Sequence, residues 1–179
     1  MGTADPLHGV RVLELATRRD DRGAFTETFR QAWLPAGVPA MVQSNLSVSR
    51  VGVLRGMHFH RHQADYWCVL EGRAFVALFD LRVGSPSWGE AWSETFEASQ
   101  GLCGLYGPAG VAHGFCALTE VRLQYMVDRS FADDDEQEFA WNDPDLLVDW
   151  PIHDPILSER DARAAPLAQV VIDPPTFVD

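Results

Sequence analysis

The sequence is poor in positive charge. Fourteen basic residues stand against twenty-six acidic ones, giving a formal net charge of -12 and a pI near 4.8. A polyanion would be repelled by that balance, so nucleic acid is excluded as a partner unless the few basic residues cluster. Long apolar runs are also missing: no stretch reaches the roughly eighteen residues that a membrane-crossing helix needs, so no membrane partner is expected. The N-terminus lacks the basic, apolar and small-residue succession of a secretory leader, and a cytoplasmic protein is the expectation. Cysteine is scarce. Cys68, Cys103 and Cys116 form no Cys-x-x-Cys pair, and an odd number makes a poor disulfide framework, so they read as small buried hydrophobes. Internal repeats, low-complexity tracts and a convincing long amphipathic helix are absent as well.

What remains is an ordinary globular composition, with 46% apolar and 22% charged residues over 179 positions, enough for one well-cored domain and short for two. A single domain over residues 1–179 is expected. Short β-like segments recur at regular spacing. Val10 to Leu15 alternates after Pro6 and Gly9, and Asp20 to Gly23 reads as a turn. On a strand from Phe25 to Phe29 both phenylalanines and Glu27 would share one face, and a short helix or loop is expected from Arg30 to Pro39. Val42 to Ser49 sets Gln43, Asn45, Ser47 and Ser49 against Val42, Leu46 and Val48, a two-faced strand whose polar side lines a cavity or meets water.

Trp67–Leu70, a Glu71-Gly72 turn and Ala74–Leu81 suggest a hairpin. Gly84 to Gly89 is a loop, Trp92–Phe96 and Leu102–Tyr106 alternate, Gly107 to Phe115 turns into a strand running on to Leu118, and Val121–Val127 alternates cleanly. The acidic run Ala132 to Glu136 reads as a solvated loop. From Asn142 the chain is punctuated by proline, with Ser158 placed as the N-cap of a helix. The pattern points to an all-β antiparallel sandwich or barrel.

Chemistry concentrates between Gly52 and Gly72. His58 and His60 are two apart and so point to one side of a strand, and glycines nearby permit close approach. The spacing Gly52-x5-His58-x-His60-x4-Asp65-x6-Gly72, followed by Pro108-x-Gly110-x-x-His113, resembles the metal-binding motifs of the cupin superfamily. A metal-dependent cupin enzyme using His58, His60, Asp65 and His113 is therefore one alternative.

A longer series of motifs runs through the chain in one order. It comprises Asp21-Arg22-Gly23-x-Phe25-x-Glu27, Gln43-x-Asn45-x-Ser47-x-Ser49, Gly52-Val-Leu-Arg55-Gly-x-His58-Phe, Asp80-Leu-Arg82-x-Gly84-Ser-Pro86-x-x-Gly89, Ala112-His113-Gly114-Phe115, Asp143-Pro144, and Trp150-Pro151 through Leu157-Ser158-x-Arg160-Asp161. Over residues 20 to 161 the chain resembles the dTDP-4-dehydrorhamnose 3,5-epimerase family. The resemblance implies a cupin-like double-stranded β-helix, a jelly-roll barrel with short peripheral helices, and a C-terminal segment from about 142 packing on it. It also implies a homodimer that needs no metal or other cofactor and acts on a dTDP-linked 4-keto-6-deoxy sugar, inverting C3, C5 or both by proton abstraction beside the C4 ketone.

By that resemblance His58 matches the base, Asp161 the carboxylate that orients it, and Tyr125 the group returning a proton from the other face. Arg22, Phe25, Glu27, Gln43, Asn45 and Arg55 match positions that hold the deoxythymidine diphosphate, and His113 matches a second active-site histidine. Asp65 stands where the family usually carries a lysine near the developing enolate, which leaves His60, Arg61 or His62 to supply charge there. A third alternative is a non-catalytic sugar-nucleotide-binding homologue.

Overall fold

The structure is a computed structural model describing residues 3–130, 135–170 and 175–177. In chain order its strands are β1 Thr3–Ala4, β2 Arg11–Glu14, β3 Thr17–Asp20, β4 Gly23–Thr26, β5 Gln43–Ser49, β6 Leu54–His60, β7 Asp65–Glu71, β8 Arg73–Asp80, β9 Ala91–Glu97, β10 Cys103–Gly107, β11 Val111–Ala117, β12 Val121–Val127 and β13 Glu136–Glu138. Two short helices, α1 Glu159–Arg163 and α2 Leu167–Val170, and single 3-10 turns at Gln31–Trp33 and Pro144–Leu146 lie outside them. One antiparallel sheet runs β1-β2-β10-β7-β12-β5 and the other β13-β6-β11-β8-β9, while β3 and β4 pair only with each other. From β5 to β8, and again from β9 to β13, the chain changes sheet with every strand. This is the expected cupin-like jelly roll.

Period-two alternation sorts each strand between an inner and an outer layer. Val69, Val76, Leu78, Leu105, Phe115 and Leu123 fill one end of the barrel. The opposite faces of the same strands are covered from outside: Phe59, Phe79 and Ala77 by Phe139, Leu146 and Trp150, and Tyr66, Cys68 and Tyr106 by Leu34 and the segment around it. Strands buried on both sides are nearly continuous apolar runs, which is why β7 and β8 carry so little polar sequence. Each fully buried large side chain here contributes about 2 kcal/mol.

Several expectations are corrected. β7 and β8 are not a hairpin, because they belong to different sheets. The Glu71-Gly72 turn is a corner: Gly72 has φ +89°, and a Cβ there would stand 1.9 Å from the Glu120 carbonyl oxygen. The same chemistry serves a tight hairpin and a tight corner, so sequence does not separate them. The strand predicted over Phe25–Phe29 stops at Thr26, so the two phenylalanines do not share a face. Phe25 is 67% exposed, whereas Phe29 packs edge-on against Tyr66. Of Arg30–Pro39 only one 3-10 turn is helical.

The acidic run is more than a solvated loop. Phe131 to Asp134 lie outside the described residues, but the Asp135 carboxylate accepts hydrogen bonds from the backbone N–H groups of Arg61, His62 and Gln63 at 3.1 Å each. Glu136 then opens β13, paired with β6. Amides turned outward after a strand need an acceptor, and Asp135 supplies it.

Candidate active site

The inner layer is polar at the end of the barrel away from the apolar plug, where a cavity of about 530 Å³ opens. Strand β6 supplies Arg55, His58 and His60 to it. Strict alternation cannot place both Arg55 and His58 on one face. The register of β6 against β11 shifts between His113 and Phe115, beside Gly56. Gly56, with φ +129°, would bring a Cβ within 2.7 Å of the Gly114 Cα, so two glycines let the strands touch. His58 and His113 end up directly opposite each other across that pair.

From the C-terminal segment comes the partner of His58. Ser158 caps α1, accepting the Asp161 N–H at 3.0 Å and donating its hydroxyl to Asp161 Oδ2 at 2.9 Å. Asp161 Oδ1 thereby meets His58 Nε2 at 2.7 Å. Burial pushes the Asp161 carboxyl up, but the His58 contact, the Ser158 hydroxyl and the Arg160 charge outweigh it and hold its pKa below the usual carboxylate value. Asp161 is therefore an anion that fixes a proton on His58 Nε2 and leaves the lone pair on Nδ1. Glu136 Oε1 stands 3.6 Å from Nδ1, and Glu136 is itself tied to Arg160 at 3.0 Å.

Tyr125 enters from β12, flanked by Asn45 of β5 and Trp67 of β7. Burial, with the charges of Asp65 and Glu136, raises its pKa, so the phenol keeps its proton at neutral pH and can give one up only to a strong base. Gln43 and Asn45 also line the cavity, hydrogen bonded to each other at 3.1 Å, and Arg55 Nε donates to Ser49 Oγ at 3.0 Å. Gln43, Asn45 and Ser47 of β5 thus meet the cavity, and Leu46 and Val48 of the same edge strand border it while remaining 59% and 51% exposed.

A second group gathers beside these residues. His60, Asp65 and His113 place one ligating atom each within 4.8 Å of one another. Trp67 packs edge-on against His113 with ring centroids 4.9 Å apart. Burial pushes His113 down to about 4 and lowers His60, while it pushes Asp65 up to about 6 against the opposing pull of His60. Both imidazoles are neutral at pH 7. No lysine helps here, because all fourteen basic residues of the chain are arginines.

Three predicted binding residues are elsewhere. Arg22, Phe25 and Glu27, on or just after the β3-β4 ribbon, do not line this cavity; Arg22 pairs with Asp20 and Glu27 with Arg30. The ribbon turns away because it pairs with neither large sheet. Arg61 is not among the lining residues either, since the backbone leaves β6 at His60 and its amide is taken by Asp135. Sequence reasoning missed Glu136, hidden in an acidic run, and Arg160, which lies in a quoted motif but was given no role.

A family model described as dTDP-4-dehydrorhamnose 3,5-epimerase matches residues 4–169. The chain belongs to this family. The dTDP-4-dehydrorhamnose 3,5-epimerase of Pseudomonas aeruginosa is 39% identical over 83% of this chain and 86% of its own length. That of Neisseria gonorrhoeae is 35% identical over 91% of this chain, which spans only about half (51%) of the longer Neisseria protein. Among solved structures, the rmlC epimerase of Mycobacterium tuberculosis superposes with a TM-score of 0.92 at 31% identity, covering 99% of this chain and 94% of that one. ChmJ, a 3'-monoepimerase from Streptomyces bikiniensis in complex with dTDP-quinovose, superposes with a TM-score of 0.82 at 31% identity over 90% of this chain and 85% of that one. The proteins it resembles thus include a 3'-monoepimerase as well as 3,5-epimerases. Among the described residues no helix is long and apolar enough to cross a membrane.

Proposed function

We propose that this chain epimerises a dTDP-linked 4-keto-6-deoxyhexose at C3, C5 or both, with His58 as base, Asp161 as its orienting carboxylate and Tyr125 as the proton donor. The observation that carries the reading is the 2.7 Å contact of His58 Nε2 with a buried, ionised Asp161 inside a cavity large enough for a sugar. The C4 ketone acidifies the neighbouring C–H bonds. His58 Nδ1 takes the proton, the electron pair moves onto the C4 oxygen, and a proton from Tyr125 rebuilds the C–H bond on the opposite face. Every step uses groups of this chain and needs no redox partner. Gln43, Asn45 and Arg55 are placed to hold the nucleotide, and a guanidinium suits a diphosphate because its planar fork gives two charge-assisted bonds.

The working unit in this proposal is a homodimer. Arg55 and Arg160 are the cations lining the cavity, and Arg160 is already tied to Glu136 and Glu138. A diphosphate therefore wants a further cation, and Arg22 with exposed Phe25 stands on a ribbon that pairs with no other strand among the described residues. Strand β5 is a sheet edge whose outer face exposes Leu46 and Val48, an edge that proteins ordinarily cover. A second copy would cover that face and lay Arg22 and Phe25 over its neighbour's cavity. Light scattering should return twice the chain mass, and Arg22→Ala should weaken dTDP binding without changing the cavity of its own chain. The three unpaired cysteines suit the cytoplasm, where sugar nucleotides are made.

The deciding experiment supplies dTDP-4-keto-6-deoxyglucose in D2O and follows deuterium into the sugar. Label at C3, C5 or both, absent with His58→Ala, is the expected result. Exchange no faster than in that variant would end the epimerase reading, and the position of the label counts the centres inverted.

A further inference from the structure

Charge is unevenly shared inside the cavity. Of its two cations, Arg160 is engaged by Glu136 and Glu138, and Arg55 is the one placed to meet the diphosphate. Of its carboxylates, Asp161 holds His58 and Glu136 holds Arg160. Asp65 is left over. It is only 6% exposed, and its ion-pair contact among the described residues is His60 Nε2 at 3.9 Å, on a ring that is neutral at pH 7. Its other polar neighbours, Gln63 and Trp67, are neutral as well, and the chain has no lysine to offer.

The place of Asp65 decides what can answer it. Asp65 and Trp67 share one face of β7, and Trp67 lies directly opposite Tyr125 of β12, so Asp65 stands one step along the wall that carries the proton donor. Across the cavity is His60, two residues from the base His58 on β6. A sugar held between His58 and Tyr125 therefore turns a ring substituent toward Asp65. A buried carboxylate without a cation is costly, and burial accordingly pushes Asp65 up to about 6. Taking a proton from the sugar adds a second negative charge nearby. The protein supplies no free positive charge at that point to offset either one.

We propose that the sugar brings the cation: the substrate is an amino sugar, a nucleotide-linked 4-keto-6-deoxyhexose whose ring ammonium pairs with Asp65. This rests on the epimerase reading and narrows its substrate class. The amine belongs at C2 or C3, since C1 carries the nucleotide, C4 the ketone and C5 the methyl group. An ammonium gives Asp65 a charge-assisted hydrogen bond and a counter-charge, whereas a hydroxyl gives one donor and no charge. The same ammonium lies close to C4, where the electron pair moves when His58 removes the proton. It is neither gained nor lost in the reaction, and nothing is oxidised or reduced.

The test sets dTDP-6-deoxyglucose against its 2-amino and 3-amino counterparts on the full-length protein. These lack the ketone and report binding alone; the matching 4-ketones in D2O report exchange. Calorimetry should show one amino compound bound about a hundredfold more tightly than the neutral one, and exchange from the neutral ketone should be slower by about the same factor. The preference should vanish in Asp65→Asn and reverse in Asp65→Lys, with circular dichroism showing the fold intact. The wild-type comparison decides even where a variant does not fold. Equal or tighter binding of the neutral sugar overturns the proposal, and exchange from its ketone then keeps the epimerase reading. An amine preference that survives in folded Asp65→Asn overturns the pairing with Asp65. Amine preference with no exchange from any ketone supports the pairing and ends the epimerase reading instead.

Discussion

His58 and His60 stand two residues apart on one strand and face one cavity, yet their surroundings differ in kind. His58 meets an ionised carboxylate held by a helix cap, with Glu136 and Arg160 completing a charged relay. His60 meets a carboxylate that burial pushes up to about 6 and another neutral imidazole, and its own Nδ1 has no hydrogen-bond partner among the described residues. The strand gives both the same direction. What differs is the element packed against each: a polar C-terminal segment for the first, and β7 and β11 for the second. One wall of the cavity pairs an imidazole with an ionised carboxylate, and the other packs two neutral rings against a carboxylate that burial resists charging.

Four substitutions test that division, taken from the largest effect down. His58→Ala should lower the rate of deuterium exchange about a thousandfold while calorimetric affinity for dTDP stays unchanged; a tenfold loss or less would place the base elsewhere. Asp161→Asn keeps the shape and loses the anion, so exchange should drop about a hundredfold. It should also cost about 2 kcal/mol at pH 7, because a hydrogen bond to a charged buried group is removed. The pH dependence has a definite sign. The Asp161 pKa is lower folded than unfolded, so its contribution is full above the unfolded value near 3.8 and is lost as pH falls through the folded value. Urea melts of wild type and variant should therefore differ at pH 7 and converge in strong acid.

Gly56→Ala acts on both walls together. It forces the new methyl against Gly114 and an L side chain into φ +129°, so a loss of about 2 kcal/mol in urea melts is expected, with both histidine rings displaced in nuclear magnetic resonance spectra. Glu136→Gln is the mildest. Its carboxylate is 3.6 Å from His58 and bound to Arg160, and exchange should fall tenfold at most, with a shifted pH profile as the sharper readout.

Much of the fold was legible because alternation is a local signal. β2, β5, β9, β10 and β12 were placed by it, and the polar face of β5 was identified, though only the structure shows that it turns inward. Sheet partnership was not legible: β7 and β8 carry a fine hairpin pattern across Gly72, and nothing within the segment says that the glycine turns a corner into the other sheet. The His58–Asp161 pair spans 103 residues and was reached through family resemblance, since no periodicity links a strand to a distant helix cap. Glu136 and Asp135 were passed over because carboxylates in an acidic run look solvated until the amides and the imidazole that need them are in view.

The distance in sequence between His58 and Asp161 also sets an order of events. During synthesis the barrel strands emerge first, and the helix cap bearing Asp161 comes after all eleven described strands of the two large sheets. A chain synthesised only as far as the strands therefore holds an imidazole without its carboxylate, and a reactive keto sugar meets a competent base only once Asp161 has been added. A nascent chain stalled before residue 158 should bind nucleotide and leave the sugar untouched.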